Sequence, residues 1–514
     1  MNGAESLLET LADGGLEVCF ANPGTSEMHL VSAIDRSQRV RSILALFEGV
    51  ATGAADGYGR MTGKPAGTLL HLGPGLGNGL ANLHNARRAR SPLVNIVGDH
   101  ASYHRAFDAP LTSDVEGVAR PMSDWVGVSE SASDLAARGA AALAAALQPP
   151  GQVATLIVPA DHAWNEAAGK VAPIAPARAE AASSDAVTAA ARVLRSHERV
   201  ALVLGAAGLR ETATRAAGRI REATGAELLR ETFSARVERG AGRVAVEAIP
   251  YFGEAAAARL EKFEAIVLVG ATAPVSFFGY PGKPSWLAPE GCEIVTLAEP
   301  RQDVAAALDG LAAELGCEDG LQQSRDAELP DRSPGTLDPQ KLAAVVAHEL
   351  PEGAIVSDES ATGGAFLPAA TAGAPPHDWL MLTGGSIGQG ISLAVGAATA
   401  CPDRKVLCIH GDGGAMYTLQ ALWTQARESL DVTTVILANR SYAILNIELK
   451  RVGAGEPGQK ALDMLDLSRP DLDWVKLAEG MGVPGSRAFT AEDLQSQLRT
   501  AIAEPGPRLI EAVL

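Results

Sequence analysis

The sequence predicts an α/β protein of three doubly wound domains with mainly parallel sheets. Short runs rich in Val, Ile and Leu alternate with helix-like stretches along the whole chain, as in Leu93-Val94-Asn95-Ile96-Val97 and Val432–Ala438. Such alternation is typical of strands that each precede a helix and pair in parallel. The length of 514 residues suits about three domains of ordinary size.

Two stretches without hydrophobic periodicity mark the predicted domain boundaries. Residues 167–184 are rich in Ala and Pro, and residues 316–338 combine Pro with acidic side chains. Because each stretch separates one set of alternating strands and helices from the next, we predict three domains. The first spans residues 1–166, the second, or middle, domain 185–315, and the third 338–514.

Composition limits the partners and the compartment. A net charge of −18 argues against nucleic acid and against an anionic membrane surface as partners. The Ala-rich runs are too short and too interrupted to span a membrane, and the N-terminus lacks the basic and apolar regions of a signal peptide. The five cysteines show no paired spacing. We expect a cytoplasmic protein without disulfides or a zinc site.

A glycine-rich turn in the third domain carries the most informative chemistry. His410-Gly411-Asp412-Gly413-Gly414 ends one apolar run, and Asn439 ends the next. Ligands of parallel sheets bind outside the carboxyl ends of the strands, where Asp and Asn oxygens can converge on a hard cation such as Mg²⁺. The glycines let backbone N–H groups come close to a phosphate. We interpret this turn as a metal-diphosphate site; an ordinary strand-to-helix turn is the alternative.

These residues resemble the Gly-Asp-Gly…Asn signature of thiamine diphosphate (ThDP) enzymes. Four further segments fit that family in the right order, namely residues 22–27, 46–60, 382–390 and 472–482. The resemblance extends from near residue 1 to residue 514 and is to the acetolactate synthase large subunit and benzoylformate decarboxylase branch. It implies that the first domain binds the cofactor's pyrimidine ring and the third its diphosphate.

The resemblance also implies individual roles in cofactor binding. Glu48 would hydrogen-bond the aminopyrimidine ring, the Gly385 carbonyl would accept from its 4′-amino group, and Ile387 would hold the cofactor in its folded shape. Mg²⁺ would be bound by Asp412, Asn439 and the backbone carbonyl of Ser441. The diphosphate would be held by Gly411, Gly413, Gly414, Ser360, Thr362 and Tyr442. A helix N-terminal carboxylate is the alternative for Glu48, and an N-cap turn the alternative for Ser360 and Thr362.

In the implied reaction a small-molecule 2-oxo acid is attacked by the cofactor and then loses carbon dioxide, which leaves a ThDP-bound enamine. His71 lies where benzoylformate decarboxylase carries an active-site histidine, and Thr25 aligns with that enzyme's substrate-contacting serine. The sequence departs from the family in two places. The decarboxylase's second histidine would fall near Phe278, where this chain has no histidine, and the glutamine of acetolactate synthases is replaced around residues 110–111. His100 and His104 are candidates to compensate, with an exposed loop as the alternative.

Three functions therefore stay open at this point. The leading expectation is an acetolactate-synthase-like decarboxylase or carboligase that requires ThDP and Mg²⁺. The second is a benzoylformate-decarboxylase-like decarboxylase of an aromatic or larger 2-oxo acid. The third is a catalytically quiet ThDP-binding partner subunit.

The remaining glycine runs bear on other cofactors and on assembly. The runs at residues 73–79 and 205–208 lack the Gly-x-Gly-x-x-Gly spacing, which argues against an NAD-dependent dehydrogenase, and we expect 73–79 to be a loop beside the cofactor. No FAD-contacting motif is found in the middle domain, so FAD is not expected. The family builds its active sites between two chains, which implies a homodimer or homotetramer.

Overall fold

The computed structural model describes residues 1–318, 320, 324–453 and 455–514. Three separate sheets organise the chain into three α/β domains, and their strands are mainly parallel. The predicted fold class is therefore confirmed. The positions at which each domain begins and ends remain our prediction.

The first domain contains a six-stranded parallel sheet. Its strands are β1 (Val18–Asn22), β2 (Arg41–Leu44), β3 (Ala66–Leu70), β4 (Leu93–Asp99), β5 (Trp125–Val128) and β6 (Val153–Pro159). Its helices are α1 (Gly3–Asp13), α2 (Met28–Ser37), α3 (Glu48–Thr62), α4 (Leu72–Ala89), α5 (Val115–Ala119), α6 (Ala132–Ala146) and α7 (Ala160–Trp164). The strand order is β2-β1-β3-β4-β6-β5. Helices cover both faces, so β3, β4 and β6 are buried along their whole length.

The middle domain contains a five-stranded sheet. The strands of this region are β7 (Val200–Leu204), β8 (Glu227–Arg230), β9 (Val237–Arg239), β10 (Glu247–Ala248), β11 (Ala265–Val269) and β12 (Glu293–Ala298). Its helices are α8 (Ser184–Ser196), α9 (Glu211–Thr224), α10 (Gly253–Leu260) and α11 (Val304–Leu315). The order is β10-β8-β7-β11-β12, and β9 leaves this sheet to join the third.

The third domain contains a seven-stranded sheet that includes β9. Its own strands are β13 (Ile355–Glu359), β14 (His377–Met381), β15 (Val406–Gly411), β16 (Val432–Ala438), β17 (Gly485–Ala488) and β18 (Arg508–Val513). Its helices are α12 (Pro339–Glu349), α13 (Leu367–Ala370), α14 (Gly390–Ala400), α15 (Asp412–Ala415), α16 (Ala421–Arg427), α17 (Ala443–Arg451), α18 (Gln459–Asp463), α19 (Trp474–Gly480) and α20 (Ala491–Ala503). The order is β17-β18-β16-β15-β13-β14-β9, with β9 antiparallel to β14.

Helix α3 of the first domain packs against the third domain. The buried pair Asp56 and Arg60, one turn apart on α3, is joined at 2.6 Å. Arg60 also donates to the Met381 carbonyl at 2.7 Å, and Gln389 donates to Asp56 at 2.6 Å. Because each buried charge is paired and hydrogen-bonded, this cluster fixes α3 relative to the loop that connects β14 with α14.

Two further features concern predictions made above. The glycine run at residues 73–79, which we predicted to be a loop, forms the first turns of α4 instead; its N–H groups find helical partners, beginning with Gly75, which donates to the His71 carbonyl at 2.8 Å. All five cysteines are free. Within the described part of the chain, no helix is both long and apolar enough to cross a membrane.

Candidate cofactor site

Asp412 and Asn439 follow two neighbouring strands of the third sheet. β15 and β16 pair in parallel up to Gly411 and Leu437, so the residues after them leave the same edge of the sheet. Asp412 Oδ2 accepts a hydrogen bond from the backbone N–H of Arg440 at 2.7 Å, and its Oδ1 accepts from Gly413 at 2.8 Å. The structure thus brings the predicted Asp and Asn loops together.

The Asp412 carboxylate is buried without a counter-cation. Its residue is 4% exposed, and no described Lys, Arg or His lies within ion-pair distance of it. Burial raises its pKa, and the nearby Glu511 carboxylate acts in the same direction. A bound cation would stabilise a carboxylate buried in this way, and carboxylate, amide and carbonyl oxygens are the donors that Mg²⁺ prefers. The described residues form no cluster of three or more His, Cys, Asp or Glu side chains suited to a metal, so backbone and amide oxygens would complete the set.

The loop after β16 surrounds the Gly-rich turn. Asn439 Oδ1 accepts from the Ser441 N–H at 3.1 Å, and the Ser441 hydroxyl donates to the Leu465 carbonyl at 3.2 Å. The Tyr442 ring lies against Gly413, where a Cβ would stand 2.5 Å from Cε1 of the tyrosine. The turn therefore tolerates no side chain at Gly413, as expected of a backbone cradle for a phosphate.

Ser360 stands at the N-cap position of a short 3₁₀ turn, but its side chain joins a buried hydrogen-bond network and does not cap that turn. Its hydroxyl donates to Asp358 at 2.6 Å and makes no capping bond to the short 3₁₀ turn that follows, which contains Thr362. The other Asp358 oxygen accepts from the Trp379 indole at 3.0 Å. Burial raises the pKa of Asp358. The capping role of the N-cap alternative for Ser360 is thus not what the structure shows.

Glu359 and His410 hold the loop before α14, and sequence reasoning assigned no role to either. Glu359 accepts from the N–H groups of Gly388 and Gly390 at 2.6 and 2.7 Å, and its Oε2 lies 3.2 Å from His410 Nε2. Burial alone would lower the pKa of His410, but the Glu359 carboxylate raises it overall. These hydrogen bonds of Glu359, together with its contact to His410, fix the loop that contains Gly385.

The loop that contains Gly385 lies very close to the middle domain. Gly385 has a φ of +74°, which favours glycine. A Cβ at Gly385 would lie 2.5 Å from the Phe277 ring of the middle domain. Ile387, two residues on, is 37% exposed although it is a large apolar side chain. An exposed Ile beside a glycine loop is available to contact a ligand.

Glu48 begins α3 and is 9% exposed. Its Oε2 accepts from the Asn78 side chain at 3.0 Å, and Gly75 faces its Oε1. A carboxylate at a helix N-terminus is favoured by the dipole. Glu48 is nevertheless buried at the strand-to-helix turn, whereas the alternative interpretation, a simple helix N-terminal carboxylate, would leave it exposed.

His71 pairs with Glu27, a partner that sequence reasoning did not name. His71 Nδ1 lies 2.8 Å from Glu27 Oε2, and Glu27 also accepts from Ser26 Oγ and from the Gly24 N–H, each at 2.7 Å. The carboxylate favours a proton on Nδ1, which leaves Nε2 without a described partner. Thr25, on the same turn, is exposed. The fully buried Glu27 therefore positions the His71 ring.

In one chain, Glu48 and the Gly385 loop contact different parts of α4. Glu48 meets Asn78, whereas His84 and Asn85 hydrogen-bond the carbonyls of Gly384 and Ser386 at 3.1 and 2.8 Å. From Asn78 to Asn85 the helix rises about 10 Å. The structure therefore separates these two groups of predicted site residues within a single chain.

An aromatic cluster from the middle domain adjoins the Gly385 loop. Phe277 contacts Phe233, Tyr251 and Phe278, with ring centroids 4.8 to 5.6 Å apart. Phe278 is 54% exposed. The remaining candidates lie elsewhere: the His100 and His104 rings pack against each other at 5.3 Å after β4, and no described contact joins them to His71 or Glu48.

Family comparisons identify two domains of the chain. Residues 1–118 match the N-terminal TPP-binding domain of thiamine pyrophosphate enzymes, and residues 364–512 match their C-terminal TPP-binding domain; thiamine pyrophosphate is another name for ThDP. The chain belongs to the family of ThDP-dependent enzymes. The two matched domains indicate ThDP as the cofactor.

Individual relatives place the chain within one branch of that family. It is 57% identical to a Mycobacterium tuberculosis protein named "Putative acetolactate synthase large subunit IlvX", over 100% of this chain and 99% of the relative. It is 30% identical to benzoylformate decarboxylase of Pseudomonas aeruginosa, over 98% and 97%. A ThDP-dependent 4-hydroxybenzoylformate decarboxylase of Rhodococcus jostii RHA1 has a similar structure, with a TM-score of 0.87, 27% identity and coverage of 99% and 98%. The branch is that of acetolactate synthases and benzoylformate decarboxylases.

Proposed function

We propose that this chain is a Mg²⁺- and ThDP-dependent 2-oxo acid decarboxylase or carboligase of acetolactate-synthase-like type. The observation that carries the proposal is the buried Asp412 carboxylate, which has no described counter-cation and is hydrogen-bonded to the Asn439–Arg440 loop. Asp412, Asn439 and the Ser441 carbonyl would bind Mg²⁺. The cofactor's diphosphate would lie against Gly411, Gly413, Gly414, Ser360, Thr362 and Tyr442.

ThDP, when bound, supplies the electron sink that decarboxylation of a 2-oxo acid requires. The chain's own residues would orient it and exclude water from it. Glu48 would hold a proton at the pyrimidine ring, the Gly385 carbonyl would accept a hydrogen bond from the 4′-amino group, and Ile387 would contact the cofactor. Glu359 keeps the Gly385 loop in place through two backbone hydrogen bonds.

His71 and Thr25 would act on the substrate. With Nδ1 directed at Glu27, His71 can offer Nε2 to the carboxylate or carbonyl of a 2-oxo acid and can relay a proton near neutral pH. The Thr25 hydroxyl, exposed on the neighbouring turn, would add a hydrogen bond to the same substrate.

The separation of Glu48 from the Gly385 loop along α4 supports an active site shared by two chains. We propose a homodimer or homotetramer in which Glu48 and His71 of one chain face the Asp412 turn of another. Closed two-fold assemblies are the commonest form of soluble oligomers, and two such sites would arise from each pair of chains.

A benzoylformate-decarboxylase-like activity on aromatic 2-oxo acids is the second candidate. It is favoured by the aromatic cluster of Phe277 and Phe278 beside Gly385. Stacking on aromatic rings would recognise an aryl substituent, whereas pyruvate offers only a methyl group. A catalytically quiet partner subunit is disfavoured, because Glu48, Asp412 and Asn439 are all present at the expected strand ends.

The experiment is ¹³C NMR of labelled pyruvate with the purified chain, ThDP and Mg²⁺, in parallel with labelled benzoylformate. Labelled acetolactate supports the carboligase. Labelled carbon dioxide from benzoylformate alone moves the assignment to the second candidate. If ThDP binds and a broad panel of 2-oxo acids releases no carbon dioxide, the decarboxylase proposal is wrong and the partner-subunit alternative is favoured.

A further inference from the structure

Four arginines line a cavity of about 320 Å³ between the middle and third domains. Arg230 ends β8, Arg239 ends β9, and Arg243 and Arg325 lie on adjoining loops. The lining also includes the apolar side chains of Val246 and Pro368. This cavity is remote in sequence from the Asp412 turn, and the proposed reaction does not use it.

The cavity's positive charge is only partly compensated by the protein: the Asp358 carboxylate attracts Arg230 and Arg239 without forming an ion pair with either. Arg230 is only 6% exposed, and neither it nor Arg239 has a described carboxylate within ion-pair distance. Arg230 donates through Nη1 to backbone carbonyls at 3.2 and 3.3 Å, and Arg239 donates to the Pro368 carbonyl. The other donors of both guanidinium groups have no described partner. Burial lowers the pKa of Arg239 to about 9, and repulsion from Arg230 acts in the same direction.

The acidic side chains of the lining are already engaged. Glu238 is paired with Arg236 at 2.9 Å, and Glu247 with Arg259 at 3.0 Å, both outside the cavity. Arg243 has one carboxylate neighbour, Glu211, at 3.5 Å. Arg230 is buried and Arg239 and Arg243 are partly buried, and such charges cost folding free energy unless an anion compensates them. Packing alone therefore does not account for this cluster.

We infer that this cavity binds a small phosphomonoester with an apolar organic body. Arginine forks recognise phosphate oxygens through paired hydrogen bonds, and Arg230, Arg239 and Arg325 converge on one space. The Val and Pro wall provides an apolar surface for the rest of the molecule. The volume is within the range of ordinary small-molecule sites.

The ligand would lie next to the network that holds Ser360. Arg239 stands over the Trp379 ring, 5.0 Å from its centroid, and the Trp379 indole donates to Asp358, the acceptor of the Ser360 hydroxyl. These contacts connect the cavity with Ser360, one of the residues proposed to hold the diphosphate. The inference does not depend on the proposed reaction.

The test is calorimetric titration with phenyl phosphate, with inorganic phosphate and phenol as reference probes, at constant ionic strength. The protein is saturated with ThDP and Mg²⁺ so that its diphosphate site is filled. We expect phenyl phosphate to bind more tightly than inorganic phosphate, and phenol not to bind. Arg325→Gln should weaken phenyl phosphate at least about tenfold, since it removes one charged hydrogen-bond donor.

Arg325 is the decisive position because its side chain is exposed and makes no described hydrogen bond or ion pair. The Arg325→Gln variant is therefore expected to fold. Arg230→Gln serves as a second variant. The matched control is Arg120→Gln, an exposed arginine of the first domain paired with Glu116, which should leave the affinity unchanged. No heat up to about 10 mM phenyl phosphate, a range that detects millimolar affinity, would overturn the inference. Equal affinity in Arg325→Gln would also overturn it, and equal affinity for inorganic phosphate would overturn the phosphomonoester assignment.

Discussion

The Asp412 carboxylate accepts a hydrogen bond from the backbone N–H of Arg440 at 2.7 Å. This bond joins the loops that end β15 and β16. The backbone of these loops therefore holds the carboxylate that we propose to bind a cation. The remaining oxygens of the set belong to an amide and a carbonyl, so Asp412 supplies the only formal negative charge of the proposed ligand set.

Asp412→Asn is expected to weaken Mg²⁺-dependent ThDP binding by at least about 10–100-fold, the scale reached even when only outer partners of metal ligands are lost. The amide keeps one hydrogen-bond acceptor but removes the charge. Calorimetric titration of ThDP with and without Mg²⁺ measures the effect. Asp403→Asn, an exposed aspartate of the same domain, is the control and should bind ThDP normally. Unchanged affinity in Asp412→Asn would exclude it as a metal ligand.

Mixing two inactive variants tests whether the active site is shared by two chains. In a hybrid of Glu48→Gln and Asp412→Asn chains, one of the two interface sites would contain both native residues. Random assembly from equal amounts then restores about a quarter of the wild-type activity. If both residues served one site within the same chain, no hybrid would contain an intact site. Activity that stays at the level of the separate variants would therefore contradict the shared site.

Glu27→Gln is expected to lower kcat at least about tenfold, a fraction of the roughly 10²–10⁴-fold effect of positioned proton transfer. The affinity for ThDP should stay unchanged. The reason is that Glu27 orients His71 through Nδ1 at 2.8 Å. His71→Ala should have the larger effect, and the double variant should be no worse than His71→Ala, because the two residues act as one unit. Glu130→Gln, which changes an exposed glutamate of the same domain that pairs with Arg138, is the control and should leave kcat unchanged. Additive losses would show that Glu27 acts independently.

His377 is expected to make stability depend on pH. Burial lowers its pKa to about 4, and Arg239 acts in the same direction. Between about pH 6.5 and 4 the unfolded chain binds a proton at this histidine and the folded chain does not. The free energy of unfolding therefore decreases as the pH is lowered, by up to about 3 kcal/mol. As the pH falls from 7 to 4, the Tm of the wild type should therefore decrease more than the Tm of His377→Asn. A difference that is constant over this range would contradict the buried neutral imidazole.

The sequence was sufficient to predict which strand ends meet in the third domain. Asp412 and Asn439 follow consecutive buried runs, and parallel strands that are neighbours in sequence are commonly neighbours in the sheet. The register of Gly411 with Leu437 shows that they are. Glu48 at the first turn of α3 followed from the same reasoning applied to β2 and α3.

Contacts that depend on long-range packing were not predictable in this way. Glu27 faces His71 only because β1 and β3 are adjacent and the turn after β1 folds back over β3. The glycines of residues 73–79 gave a loop signal, yet they belong to α4, where Gly75 and Gly79 allow a close approach of α3: a Cβ at these positions would lie 3.1 Å from Glu48 and 2.9 Å from Thr52. The arginine cavity combines residues from β8, β9 and a distant loop, which no local pattern connects.

The most direct test of the account is hydrogen–deuterium exchange at C2 of ThDP bound with Mg²⁺, followed by ¹H NMR in wild type and Glu48→Gln. No substrate is required, so the result is independent of which 2-oxo acid is used. The account predicts that the variant binds ThDP but exchanges the C2 proton roughly 10²–10⁴-fold more slowly, the scale of positioned proton transfer. Equal exchange rates in the two proteins would contradict the role assigned to Glu48 and with it the proposed mechanism.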